Sequence, residues 1–581
     1  MVPRYLRPLL ALIAIAALPA AAQNELFIDQ VDVNVVNVEV FVTDRDGNRV
    51  AGLSQEDFEI LEDGRAVEIS NFYSVSYQDA FAPAPEPGRR AMPQPRREIP
   101  PDQQLHLAIF MDHAHIYPAS RRQILEELEG FIEDRLIEGD KIMLVGFARS
   151  LEIVEPFTQD HQRLLRGLGK MSKEAAYGPM IDAQRRQAFR SMTLFADGGD
   201  PQAAAANIRT AHGFVRSYVQ SVQSDTRKVT ESIEKVVRSL AGLPGRKALL
   251  YVSNGLPQRP GEEAYQYLLD ITGAAALRSA SVSGVGIDPA LEAIRDDEAP
   301  LFERVTREAN AHQVTLYALD AGGSGGGSGL SADLNQIDTG VGDSGRVTLD
   351  ALRANNLREP MIELAEATGG ASVINTNNFG DGLARMAADF DTYYSLGYNS
   401  PRGGDGKYHK IQVRVKRPDL RVRHRTGYID KPQTEKVADR TLSSLLLDLE
   451  SNPLGIEVET GEPELHDRNR YLLPVLVRIP MRQVTLLPNG DTQEGRLQIY
   501  VVVKDEKGGV SDLHQHPYPV SIPTEMLEKA RQTDVGYLAR LELLSGKPKI
   551  AVGVWDELSG EESFVQRKVL VERPPKAKKG R

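Results

Sequence analysis

Five short apolar runs, residues 105–111, 142–147, 248–252, 314–319 and 371–374, alternate with segments of helical periodicity, and this alternation narrows the fold more than any other feature. Leu125, Leu128 and Ile132 share one helical face after the first run; Ile233, Val236, Val237 and Leu240 share another before the third. Strands this apolar need helices above and below them. The chain therefore reads as α/β, with a central doubly wound, mainly parallel sheet. In such a sheet ligands bind outside the carboxyl ends of the strands, at the switch point. The first run, His106-Leu107-Ala108-Ile109-Phe110-Met111-Asp112, delivers one carboxylate to that edge. A hard cation placed there would need several oxygen donors. The residues that follow, His113-Ala114-His115-Ile116, bring none on their side chains.

The flanks follow a different rhythm. Val31, Val33 and Val35 alternate with polar residues, then Val36, Val38, Val40 and Val42 alternate in the opposite phase, which predicts a strand with a bulge or a change of facing sheet. Asp46-Gly47 and Asp63-Gly64 mark tight turns between apolar runs. Residues 24–80 are expected to form a β-sandwich-like module, with Asp44, Asp46 and Asn48 serving turn chemistry because a calcium loop's spacing and terminal Glu are missing. Residues 81–102 read as a Pro-rich linker and 103–430 as the α/β domain. Two insertions interrupt that domain, a polar helical one near 171–226 and a Gly- and Ser-rich one near 321–343. Residues 393–398 and 408–415 predict an antiparallel pair at the edge of its sheet. Short strands with Gly, Asp and Pro turns over residues 431–575 predict a second β-sandwich, in which Trp555, the only Trp, packs.

Composition removes several function classes. The formal charge of -12 argues against a nucleic-acid binder, and the basic run at 576–581 is a short solvated tail. With no Cys there are no disulfides, thiolate chemistry or Cys-based metal sites. Arg4 and Arg7, an apolar stretch over 9–18 and small residues Ala20-Ala21-Ala22 make 1–22 a cleavable signal peptide. No later segment is long and apolar enough for a membrane span. The expected location is secreted or periplasmic.

In this order of segments the chain resembles the bacterial von Willebrand factor type A-related proteins, more narrowly an exported group of acidobacterial type. The resemblance rests on Val42-Thr43-Asp44-Arg45-Asp46-Gly47, Leu53-Ser54-Gln55-Glu56-Asp57-Phe58-Glu59-Ile60 and Glu62-Asp63-Gly64 in the first module. In the α/β domain it rests on Gly139-Asp140-Lys141-Ile142, Val145-Gly146-Phe147 and Leu243-Pro244-Gly245-Arg246-Lys247-Ala248. Tyr393-Tyr394-Ser395-Leu396-Gly397-Tyr398 and Arg425-Thr426-Gly427-Tyr428 complete it. It implies a domain whose best-known members bind protein ligands through a divalent cation held by an Asp-x-Ser-x-Ser loop, a Thr and a later Asp. Here Asp112 matches the first position, whereas Ala114 and Ile116 stand where the two Ser belong. Asn254 follows Ser253 where the later Asp belongs, and Thr226 or Thr230 stands for the Thr. The implied loop geometry turns Asp112, Ala114 and Ile116 inward and His113 and His115 outward.

Other chemistry has less support. His113 and His115 beside Asp112 suit a transition metal by ligand type but not by that geometry. Gly322-Gly323-Ser324-Gly325-Gly326 matches a nucleophile-elbow pattern but continues as Gly327-Ser328-Gly329, a spacer. No zinc-protease, phosphate-loop or dinucleotide motif is present. The sequence thus points to an exported, non-enzymatic binding or scaffold protein with a degenerate metal-ion-dependent adhesion site. Its ligand face would comprise Asp112, Ala114, Ile116, Ser253, Asn254 and Asp320, and would meet a protein partner. Asp112 would hold Mg²⁺ or Mn²⁺ only weakly. The alternative is a metal-assisted hydrolase or other enzyme at the same face.

Overall fold

The computed structural model describes residues 35–76, 103–135, 140–196, 204–273, 276–277, 288–323, 343–401, 404–467, 470–506 and 508–572. The expected signal peptide, linker and basic tail, and most of the Gly-rich insertion including Ser324, lie outside the described residues.

Six strands build the central sheet: β5 (Leu105–Asp112), β6 (Lys141–Phe147), β7 (Leu151–Thr158), β8 (Arg246–Ser253), β9 (Val314–Asp320) and β10 (Ser372–Val373). Their spatial order is β10-β9-β8-β5-β6-β7, with every pairing parallel except β6 with β7. Numbered within the domain this is 3-2-1-4-5-6 reversed in reading direction, a doubly wound order whose switch point falls between β5 and β8. Strand β7 was not foreseen, because its alternating pattern (Leu151, Ile153) is broken by charge and sits at an antiparallel edge.

Every residue of β5 and β8 is buried. Alternate β5 side chains divide between two cores. Leu107, Ile109 and Met111 pack with Ile124, Leu128 and Ile132 of the helix Pro118–Arg135. Ala108 and Phe110 pack against Ile233, Val236 and Val237 on the other face. Those last residues belong to one continuous helix, Ala204–Leu240, whose 37 residues would span about 55 Å. The helical insertion is therefore partly an N-terminal extension of a core helix. That extension (Ile208, Val215, Val219) has its own apolar cluster with Phe189 and Tyr267.

The first module is completed from far along the chain. Strands β1 (Val35–Thr43), β2 (Phe58–Glu62), β3 (Arg65–Val67) and β4 (Ile69–Ser76) do not form it alone. They combine with β11 (Thr392–Asn399), β12 (Tyr408–Val415), β13 (Arg421–His424) and β14 (Gly427–Ile429). One sheet runs β13-β1-β11-β4 and the other β14-β12-β2-β3. Val38, Val40, Ile60, Leu396, Tyr398 and Ile411 share the core between them. The antiparallel pair expected at the edge of the central sheet is therefore absent: β11 lies between β1 and β4, and β12 between β14 and β2. Strand periodicity fixes which face is apolar but not which partner covers it. Turn chemistry at Asp44 is as expected, its Oδ1 accepting from the backbone N–H of Asp46 at 2.9 Å and Asn48 at 2.8 Å.

The C-terminal region opens with the helix Gln433–Leu447, followed by two antiparallel sheets sharing one core through Leu473, Val475, Ile499, Val501, Ile550 and Val552. Trp555 packs beside Val437, Tyr500 and Phe564. Among the described residues no helix is long and apolar enough to cross a membrane.

Candidate functional site

Asp112, Ser253 and Asp320 end β5, β8 and β9, so the parallel register brings them to one edge of the sheet. Asp112 is fully buried, and its carboxylate is saturated. Oδ1 accepts from the N–H of Ala114 at 3.1 Å and of His115 at 3.3 Å. Oδ2 accepts from Tyr251 Oη and Ser253 Oγ, both at 2.9 Å, and meets His115 Nδ1 at 2.8 Å. Five contacts exceed the roughly four lone-pair directions a carboxylate offers. Burial opposes the charge on Asp112, yet the His115 charge and these hydrogen bonds hold its pKa below the usual carboxylate value. Burial also opposes charge on His115, and the Asp112 carboxylate nevertheless raises its pKa. Tyr251 is pushed well above the ordinary phenol range by burial and by Asp112.

The loop geometry differs from the expected one. Ile116 is fully buried in the core beside Ile124, and Ala114 packs against the core on the opposite side of the sheet. Neither reaches the ligand face. His115, expected outward, turns in and lines a cavity of about 40 Å³ with Asn254, Asp320, Arg353 and Arg358. His113 lies inside the protein with neither ring nitrogen partnered, against Gly146, where an added Cβ would sit 3.4 Å from the ring. Burial pushes its pKa down to about 4. A His113–His115 metal pair is excluded by this divergence. The cause lies in the backbone: the N–H groups of His115 and Ile116 both return to the Asp112 carbonyl, coiling the loop into a tight turn.

Asp320 is met by an arginine. Arg358 Nε donates to its Oδ2 at 2.9 Å and Nη2 to the Gly323 carbonyl at 3.0 Å, while the Gly322 N–H donates to Oδ1 at 2.8 Å. Asn254 contributes an amide whose oxygen and nitrogen are both buried without a partner. Gly255 follows at φ +103°, where a Cβ would come within 2.5 Å of the Leu357 carbonyl, so the turn after β8 requires glycine. Thr226 and Thr230 lie buried on the long helix; Thr230 Oγ1 donates back to the Thr226 carbonyl, and Thr226 Oγ1 has no partner. Arg353 and Arg358 were missed from sequence, and His115 was weighed but placed on the wrong side of the loop. Arg353 and Arg358 fall on the helix Asp343–Ala367, more than 200 residues from Asp112, and no local pattern signals them.

A divalent cation does not fit this donor set. Magnesium needs near-octahedral oxygen ligation, whereas Asp112 has its acceptors spent and Asp320 already pairs with Arg358. A Ser–His–Asp relay does not fit either. In a relay the imidazole stands between carboxylate and hydroxyl, but here Ser253 and His115 both contact the carboxylate. The Gly255 N–H donating to Ser253 Oγ at 3.1 Å fixes that hydroxyl further. What the cavity offers is a set of cationic and amide donors sized for one polar group.

A second cluster lies in the N-terminal sandwich, where ligand atoms of Glu62, Asp63 and His409 fall within 4.8 Å of one another. His409 Nδ1 meets Asp63 at 2.9 Å and Nε2 meets Asp405 at 3.0 Å. Burial disfavours charge on this imidazole, but the two carboxylates raise its pKa. Both nitrogens are engaged, so the group ties the β2–β3 turn to β12.

No family profile matches the chain, and no curated protein matches it. Solved structures do. An aerotolerance-related membrane protein from Bacteroides fragilis is 13% identical, with 49% of this chain and 98% of that chain covered at a TM-score of 0.20. Proximal thread matrix protein 1 from the mussel byssus, with a zinc-occupied MIDAS motif, is 10% identical over 45% of this chain and 48% of that one, TM-score 0.16. Three N-terminal domains of the type V pili tip protein Mfa5 from Porphyromonas gingivalis are 9% identical over 92% of this chain and 76% of that one, TM-score 0.22. The functional reading therefore rests on this chain's own residues.

Proposed function

We propose that this protein is an exported, non-enzymatic binding or scaffold protein that docks a protein partner on the strand-end face of its type A-like domain without a bridging cation. The observation that carries the reading is the closed state of Asp112: a carboxylate with five hydrogen-bond contacts has nothing left to give a metal. The strand-end edge is still where this architecture presents ligands, and Arg353, Arg358, Asn254 and His115 supply it with donors. A polar side chain of the partner would take the place that a metal-bridged carboxylate takes in an adhesion site.

The test is a photo-crosslinking residue at Asn355, exposed beside the cavity on the helix Asp343–Ala367. Adducts are compared in envelope extract with EDTA and with Mg²⁺, and Asp467 in the C-terminal sandwich serves as control position. A discrete adduct specific to position 355 and unchanged by EDTA is expected. Loss of that adduct in EDTA, or the same adducts at both positions, would refute the proposal.

A further inference from the structure

The opposite end of the central sheet holds a second, larger cavity, of about 240 Å³. Its floor comes from the starts of β8 and β9, and its roof is the outer face of the sheet β13-β1-β11-β4. We propose that it is a binding site for a small organic anion, the oxyanion head held by Arg425 and the apolar body laid against Tyr73 and Val75.

The charges lead to this assignment. Arg425 lines the cavity at only 8% exposure, and its Nε is buried without an acceptor, while Nη2 donates to the Asn37 carbonyl. Burial disfavours this guanidinium's charge, and Glu39 offsets that only from a distance, without a hydrogen bond, so the unsatisfied Nε favours an anion. Glu39 is the nearby carboxylate, but Arg246 takes both its oxygens, at 3.1 and 3.5 Å, while stacking 3.7 Å from the Tyr393 ring. Among the described residues that line the cavity, the two guanidinium groups of Arg246 and Arg425 thus face a single carboxylate, Glu39. Guanidinium matches carboxylate and phosphate oxygens in pairs.

The walls set the rest of the ligand. Tyr73 is 56% exposed on the edge strand β4, an open aromatic surface beside the cavity, with Val75 next to it on the same face. The volume is below the roughly 300–1,000 Å³ of drug-sized pockets, which suits a small metabolite. An occupant would touch both modules and brace the junction between them. This inference does not depend on the strand-end proposal.

The experiment is calorimetric titration of the full mature chain at constant ionic strength, with sodium benzoate in one arm and inorganic phosphate in the other. Saturable heat in either arm is expected, weakened about tenfold or more in Arg425→Gln. Heat with benzoate assigns a carboxylate; heat with phosphate alone assigns a phosphate ester. Val75→Trp narrows the cavity without touching Arg425 and is expected to weaken binding similarly, which keeps the test decisive if Arg425→Gln does not fold. No heat in either arm up to about 10 mM, or undiminished binding in the variants, would overturn the proposal.

Discussion

Replacing Asp112 by alanine separates the two readings of the strand-end site by sign as well as size. If Asp112 were one arm of an oxygen cage, removing it in metal-free buffer would relieve carboxylate repulsion and leave stability unchanged or higher. In the structure it is instead the common acceptor of the buried Tyr251 and Ser253 and of the partly buried His115. Alanine would leave the imidazole and two hydroxyls without their common acceptor. Breaking a buried pair by deleting one partner costs about 3–5 kcal/mol. For a domain of roughly 300 residues, with an unfolding entropy of about 2.1 cal/mol/K per residue, that is a fall in melting temperature of about 5–8 °C. The assay is thermal unfolding followed by circular dichroism at 222 nm, which reads the helices of the central domain. Tryptophan fluorescence serves as internal control, because the only Trp, Trp555, lies in the C-terminal sandwich and should melt unchanged. A fall under about 2 °C, or a rise in EDTA, would refute the reasoning.

A chain beginning at Gln103 and ending at Asp430 is expected to aggregate, since it strips β11 of both neighbours and β12 of one; recovery of a soluble monomer by gel filtration would contradict the pairing. His113 is held neutral by burial, with a folded pKa of about 4 against 6.5 unfolded. The unfolded chain therefore binds the proton first as pH falls, and stability is lost between pH 6.5 and 4. This amounts to about 2 kcal/mol at pH 5, and His113→Leu should shrink the drop in urea midpoint from pH 7 to 5. His115 runs the other way: its raised pKa contributes stability that is complete below 6.5 and lost above its folded value, so His115→Gln should flatten the alkaline limb of the same titration. Arg358→Met leaves Asp320, 2% exposed, without its ion partner, and should destabilise by about 2–4 kcal/mol in urea unfolding, with restoration by the added change Asp320→Asn.

Much of the central architecture was legible. Runs such as Leu107–Ala108–Ile109–Phe110 are buried on both faces, and that demand for two covering layers is written in local composition. The Asp-Gly turns were legible for the same reason: Gly47 and Gly64 take φ of +88° and +79°, a conformation other residues resist. Of the motifs behind the family resemblance, Asp140 serves the fold, accepting from the Leu105 N–H at 2.9 Å at the start of β5, while Arg246 and Arg425 both line the cavity at the junction of the modules.

The sequence by itself determined that Asp112 stands at the carboxyl end of a buried strand, and that Ala114 and Ile116 cannot supply oxygen ligands. Both follow from residue type and a period of two. Only the tertiary structure decided what surrounds that carboxylate: His115 turned inward, Tyr251 and Ser253 delivered by a neighbouring strand, Arg358 brought to Asp320 by a distant helix. It alone decided, too, that β1–β4 are completed by β11–β14, more than 300 residues away. The physical reason is shared. A strand edge or a buried charge states what kind of partner it needs, but any residue of that kind satisfies it, and packing of the whole chain selects which one.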